Sequence, residues 1–202
     1  MTDIDRRPAL SRAYQHAAAI VEGVGADQLR DRTACPLYDV AALVDHLVGA
    51  GHRVVDLGRG EVAPPGDDFP HVELRDAPDE LRLAGKEAGE VWSDDARLDA
   101  TVTMPWGEVY TGSTVVDMYL AELATHTWDL AGATGQLHNL DAGLAASALE
   151  AARSMLKPEY RNLVEEGSPF GSEVAAPEDA TAWEALAAFM GRDPRPASPR
   201  PG

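Results

Sequence analysis

The sequence predicts an all-α bundle carrying one short β-hairpin. Most of the chain falls into segments whose apolar residues recur at the 3.6-residue period of a helix. Helix-starting Asp, Thr and early Pro, and helix-ending Gly, bracket most of these segments. A single stretch, LDATVTMPWGEVYTG, alternates weakly instead. Such a pattern packs helix on helix around one core. With 202 residues, 45% of them hydrophobic, one core is affordable, and a single domain over 1–202 is expected.

Taken in order, residues 1–7 are polar and expected to fray. A first helix starts at Pro8, with Leu10, Tyr14, Ala17, Ala18 and Val21 at helical spacing, and ends at Gly23 and Gly25. After a polar link holding Thr33, Cys35 and Pro36, Asp39 caps a second helix reaching about Leu57. Val40, Leu43, Val44, Leu47 and Val54 are its stripe, with His46 at the edge. Residues 58–70 are loop by composition. A third helix spans 77–92, with Pro78 in its first turn. The hairpin follows as 101–104 and 108–110 around Pro105, Trp106 and Gly107. Thr114 and Asp117 then resemble a capping pair opening a fourth helix that Gly135 ends. A fifth helix covers 141–156, 162–177 is irregular, and a last helix runs from 179 to 190. The Pro- and Arg-rich end reads as a tail, flexible over 196–202.

The fourth helix, DMYLAELATHTWDLAGATGQ over 117–136, carries an acid and a base on one face. Glu122 and His126 are one turn apart, about 40° on the helical wheel, beside the stripe of Leu120, Leu123 and Leu130. A carboxylate facing or flanking a core is costly unless it is paired or binds a metal. With His46 from a facing helix, the set offers two imidazoles and one carboxylate, which zinc accepts and which nickel or iron(II) would accept too. The plainer alternative is a hydrogen-bonded histidine at a helix edge, and spacing leaves both readings open. Asp129 lies about 20° to the other side of Glu122, as a partner behind the ligands or a fourth ligand, or as a polar contact to a neighbouring helix.

Other residues carry less. Trp128 projects about 120° from Glu122, onto another helix or a second subunit. Trp106 at the hairpin tip and Arg82 on the third helix are substrate-binding candidates, against an exposed turn indole and a solvated arginine. His52 points away from His46, and His16, His71 and His138 have no helical partner. Cys35 is the lone cysteine, which excludes an internal disulfide and a CxxC knuckle, and a structural role fits it better than a nucleophile. The formal charge of −17 argues against nucleic acid and anionic membrane surfaces as partners. No signal core or membrane-length apolar run is present, and a soluble cytoplasmic location is the default expectation.

The segment ACPLYDVAALVDHLVGA resembles the N-terminal signature of the DinB-like, mycothiol-dependent maleylpyruvate isomerase superfamily. AELATHTWDLAGATGQ resembles its second signature, and FMGRDPRP resembles the close of a short actinobacterial subgroup described only as metal-binding. The resemblance implies a DinB-like four-helix bundle, with the hairpin before the fourth helix and extra C-terminal helices. It also implies a divalent metal held near one end by His46, Glu122 and His126. Many DinB-like proteins have a third histidine where this chain has Glu122, so the metal stays open among zinc, nickel and iron.

By that analogy the expected function is a mycothiol- or other thiol-dependent transferase or isomerase acting on a small electrophile. The alternatives are a metal-dependent hydrolase, a non-catalytic metal or small-molecule binding bundle working as a homodimer, and a structural bundle with coincidental ligand-like residues. The full isomerases carry an extra C-terminal domain for which the residues after the fifth helix are too few, which sets maleylpyruvate itself aside.

Overall fold

The computed structural model describes residues 4–63, 66, 69–161 and 170–195. Helix α1 (Arg7–Glu22) starts with a proline in its first turn, where no N–H is needed. Helix α2 (Val40–Arg59) is capped by Asp39, whose side chain accepts from the Ala42 N–H, and stops at Gly60 in the left-handed region. Helix α3 spans Ala77–Val91. A single turn, α4 (Asp95–Asp99), follows. Strands β1 (Thr101–Thr103) and β2 (Val109–Thr111) pair antiparallel with Val102 opposite Tyr110. Helices α5 (Gly112–Ala133), α6 (Ala142–Met155) and α7 (Ala182–Phe189) complete the described chain.

Four helices form the bundle. α1 packs on α3 and α5, and α2 packs on the same two, so α1 and α2 face each other diagonally across the core. α6 lies on the outside of α5, and α7 lies on α6. Helix α5 is thus covered on several sides, and every residue from Leu123 to Ala131 is buried. It has no solvated face of the kind a stripe implies. Its buried hydroxyls are satisfied within the helix: Thr125 and Thr127 donate to the carbonyls of Ala121 and Leu123 at 2.7 and 2.6 Å. Tyr14 donates to the Gly51 carbonyl at 2.7 Å and Trp92 to that of Val54 at 3.1 Å, tying α1 and the end of α3 to α2.

The all-α fold with one hairpin is the one expected, with shifts at the edges. The hairpin strands are 101–103 and 109–111, because Met104 and Glu108 belong to the turn: the Met104 N–H donates to the Glu108 carbonyl and the Gly107 N–H to that of Met104, both 2.8 Å. Helix α5 begins at Gly112 and is capped by Thr111, with Thr114 donating its N–H to that cap. Only glycine fits at 112: a Cβ there would lie 2.0 Å from the Arg97 carbonyl. Helix α7 starts at Ala182, three residues later than expected, where Thr181 and Glu184 form a capping box. The five-residue α4 is too short to show a period and was not anticipated. The expected flexible tail at 196–202 and the link residues 162–169 lie outside the described residues.

Because Asp39 caps the helix that carries His46, Asp39→Ala is expected to destabilise the protein by about 1 kcal/mol. Urea denaturation would show this as a lower midpoint at unchanged slope.

Candidate metal centre

The site is built on α2 and α5, which pack against each other. His46 Nε2 sits 2.9 Å from Glu122 Oε1, and His126 Nε2 sits 3.4 Å from the same oxygen. The two imidazoles cross at 76° with centroids 4.7 Å apart. One ligand atom from each of the three residues lies within 4.8 Å of the others. Donors held about 2.1 Å from a tetrahedral ion are about 3.4 Å apart, so the set needs little movement to hold a divalent cation. His126 is fully buried and His46 nearly so, while the Glu122 side chain keeps 17% of its exposure. The carboxylate therefore marks the open side.

A second row lies behind. His126 Nδ1 is 3.0 Å from Asp129 Oδ2. Arg192, from the segment after α7, donates from Nε to Asp129 Oδ1 at 3.1 Å and from Nη2 to Oδ2 at 2.8 Å. Asp129 and Arg192 are both buried. The link before α2 folds over the front: Thr33 donates to the Tyr38 carbonyl at 2.7 Å, and the Tyr38 ring stacks on His46 at 4.7 Å. Phe69 meets His46 edge-on at 5.6 Å. Gly49 gives that ring its place on α2, since a Cβ there would lie 2.0 Å from Phe69 Cγ.

The electrostatics follow from this packing. Burial pushes Glu122 toward its neutral form, but the adjacent His126 and His46 outweigh it and hold the carboxyl well below the usual range. Burial works against a charged His126, yet Glu122 and Asp129 together push it up to about 9. Burial also opposes ionised Asp129; Arg192 and His126 more than offset it. His126 Nε2 is buried and has no hydrogen-bond partner of good geometry, although its other nitrogen is well bonded. A buried polar atom left so costs about 1–3 kcal/mol, and a cation beside Glu122 would remove that cost. The residues present thus fit a divalent ion. Cys35, His126 and Asp129 also come within 4.8 Å of one another. That group is a poorer cradle, because Arg192 already neutralises Asp129 and burial pushes the Cys35 thiol up to about 11.

Of the sequence candidates, His46, Glu122, His126 and Asp129 come together. Arg82 does not join them: on exposed α3 surface it pairs with Glu22 at 2.6 Å and Asp79 at 2.9 Å. Trp106 is half-exposed at the hairpin turn, with its indole N–H 3.4 Å from Glu108. Trp128 is buried in the core. His52 pairs with Glu80, and His71 with Asp45. His16 stacks on Trp183 and accepts the Asp141 N–H. Sequence reasoning passed over Tyr38, Phe69 and Arg192. The available signal for Arg192 was an arginine directly after a helix-ending glycine, in a chain with a core carboxylate needing a counter-charge.

A family model for the mycothiol maleylpyruvate isomerase N-terminal domain matches residues 10–131. The chain belongs to this family. The matched stretch runs from α1 to the end of α5 and holds His46, Glu122, His126 and Asp129, whereas Arg192 lies beyond it. Two uncharacterized proteins from two strains of Mycobacterium tuberculosis are each 33% identical over 192 residues, covering 95% of this chain and 100% of theirs. No solved structure matches. Among the described residues, no helix is long and apolar enough to cross a membrane.

The buried, protonated Cys35 is expected to react with a maleimide or disulfide reagent at least about 100-fold more slowly in the native protein than in urea. Rapid stoichiometric labelling of the native protein would restore the nucleophile reading.

Proposed function

We propose that the protein is a divalent-metal-dependent enzyme that uses a low-molecular-weight thiol, of the mycothiol type, to transform a small electrophile by transfer or isomerisation. The observation that carries this reading is the convergence of two imidazoles and one carboxylate around an unpartnered buried His126 Nε2, inside a domain of the mycothiol maleylpyruvate isomerase family. His46, Glu122 and His126 would hold the ion. Zinc suits this donor set best, with nickel and iron(II) also compatible. A bound divalent ion would lower the pKa of a thiol or water and so supply a nucleophile near neutral pH.

The chain's own residues prepare that site. Asp129 accepts from His126 Nδ1, which leaves Nε2 as the ligating nitrogen. Glu122 contributes one negative charge against the two of a divalent ion, so the loaded site keeps a net positive charge that favours a thiolate. The Tyr38 and Phe69 rings cover His46 and limit water on that side. The partly exposed flank of Glu122 is the route for thiol and substrate. In the transfer reaction the thiol S–H bond breaks, an S–C bond forms at the electrophilic carbon, and the proton passes to the adjacent carbanion. In isomerisation the thiolate forms an S–C bond on an alkene carbon, the π pair moves to the adjacent carbon, the remaining single bond rotates, and that pair re-forms the double bond as the S–C bond breaks and sulfur departs as thiolate.

Elemental analysis of the purified chain should give close to one divalent ion per molecule, and His126→Ala should fall below about a tenth of that. Consumption of an activated alkene should then require both the ion and an added thiol. Cleavage of an activated ester or amide that needs the ion and ignores the thiol would instead favour a metal-dependent hydrolase. Absence of any ion after incubation with zinc, nickel and iron(II) would overturn the proposal.

A further inference from the structure

Arg192 belongs to a segment outside the family domain, yet it is buried against the back of the site. Its approach is built locally. Met190 caps the end of helix α7, and Gly191 turns the chain at a φ of 82°, a left-handed value that favours glycine. The turn is also close to the backbone of Gly171, 2.7 Å from any Cβ that residue 191 would carry. Arg192 then donates its own N–H to the Ala187 carbonyl at 2.9 Å and Nη1 to the Met190 carbonyl at 2.8 Å. With its backbone and one guanidinium nitrogen held, the side chain presents Nε and Nη2 to Asp129 as a two-pronged fork. Asp129 in turn uses Oδ2 for both Arg192 and His126 Nδ1.

We infer that Arg192 is a positioning residue: through Asp129 it fixes the proton of His126 at Nδ1 and aims Nε2 at the Glu122 side, where a cation would bind. Without this fork nothing fixes the Asp129 carboxylate in its rotamer, and the acceptor that orients the imidazole is lost. The C-terminal segment therefore completes the site from behind, and a chain cut after α6 would keep the three ligand residues but lose their alignment. The inference concerns the hydrogen-bond chain; its consequence for metal rests on the function proposed above.

Two readouts separate these. In metal-free protein labelled with nitrogen-15 histidine, the His126 Hδ1 proton is expected as a downfield signal protected from exchange. Arg192→Gln should speed its exchange at least tenfold or erase it, whereas Leu186→Ala, a destabilising change in α7, should keep it. Arg192→Lys, with a charge but no fork, should fall between. Should Arg192→Gln not fold, Asp129→Asn with Arg192→Gln removes both buried charges and is compared with Asp129→Asn alone. In a zinc titration against a chelator, Arg192→Gln should weaken binding about 10- to 100-fold. In the Asp129→Asn background the same change should add nothing further, because Arg192 acts through Asp129. An unchanged Hδ1 signal in Arg192→Gln, or equal zinc losses in the two backgrounds, would overturn the inference. Wild-type protein that binds no zinc would overturn the metal reading alone, and the proton signal would still decide the role of Arg192.

Discussion

Two carboxylates separated by two turns of the most buried helix set the constraint that the centre of this bundle obeys. Asp129 is fully enclosed and Glu122 is partly so, and an isolated ion in such surroundings is costly. Each therefore needs a positive or protic partner, and the fold delivers them from three directions. His46 comes from α2, His126 from the turn between the two acids, and Arg192 from the far end of the described chain. The result is a chain of contacts, Arg192 to Asp129 to His126 to Glu122 to His46, that crosses the core from back to front. Replacing it with apolar packing would cost little stability in principle, which agrees with the cation site proposed for its open end.

That open end is where structure and chemistry meet. Behind His126 the polar groups are matched: Asp129 has both oxygens engaged, and Arg192 donates to these two oxygens and to the Met190 carbonyl. At the front, one carboxylate oxygen is shared by two imidazole nitrogens, and one of those makes no good hydrogen bond. The imbalance falls at the partly exposed side of Glu122, beside His46, whose ring meets those of Tyr38 and Phe69. His126 is held from behind with its Nε2 unmatched in front, the arrangement an oriented cation ligand needs, whereas His46 Nδ1 has no hydrogen-bond partner among the described residues.

Much of this was legible in the sequence, and what was missed has physical reasons. The long helices announced themselves because 14 to 22 residues of 3.6 periodicity between helix-starting and helix-ending residues admit little else. Glu122 and His126 were legible as a pair because helix geometry converts a spacing of four into adjacency, and Asp129 three residues on shares the same logic. His46 was a candidate only on the assumption of a facing helix, which pattern alone does not supply, and the resemblance of its flanking motif strengthened it. Edges shifted where side chains compete for backbone groups: Thr111 displaced Thr114 as the cap of α5, and Thr181 with Glu184 displaced Asp179 at α7. Tyr38, Phe69 and Arg192 escaped because loops and a distant turn position them, and Arg192 is 63 residues from the aspartate it clamps. Contacts of that range follow from tertiary packing, which no local period encodes.

X-ray absorption of the zinc-loaded protein, prepared without added thiol, tests the centre most directly. The expected first shell is nitrogen and oxygen at about 2.0–2.1 Å with an outer pattern of two imidazoles, contributed by His46 and His126, and no sulfur. A sulfur scatterer at about 2.3 Å would place the ion on Cys35, and a shell of water oxygens alone would mean that the cradle on α2 and α5 holds no metal.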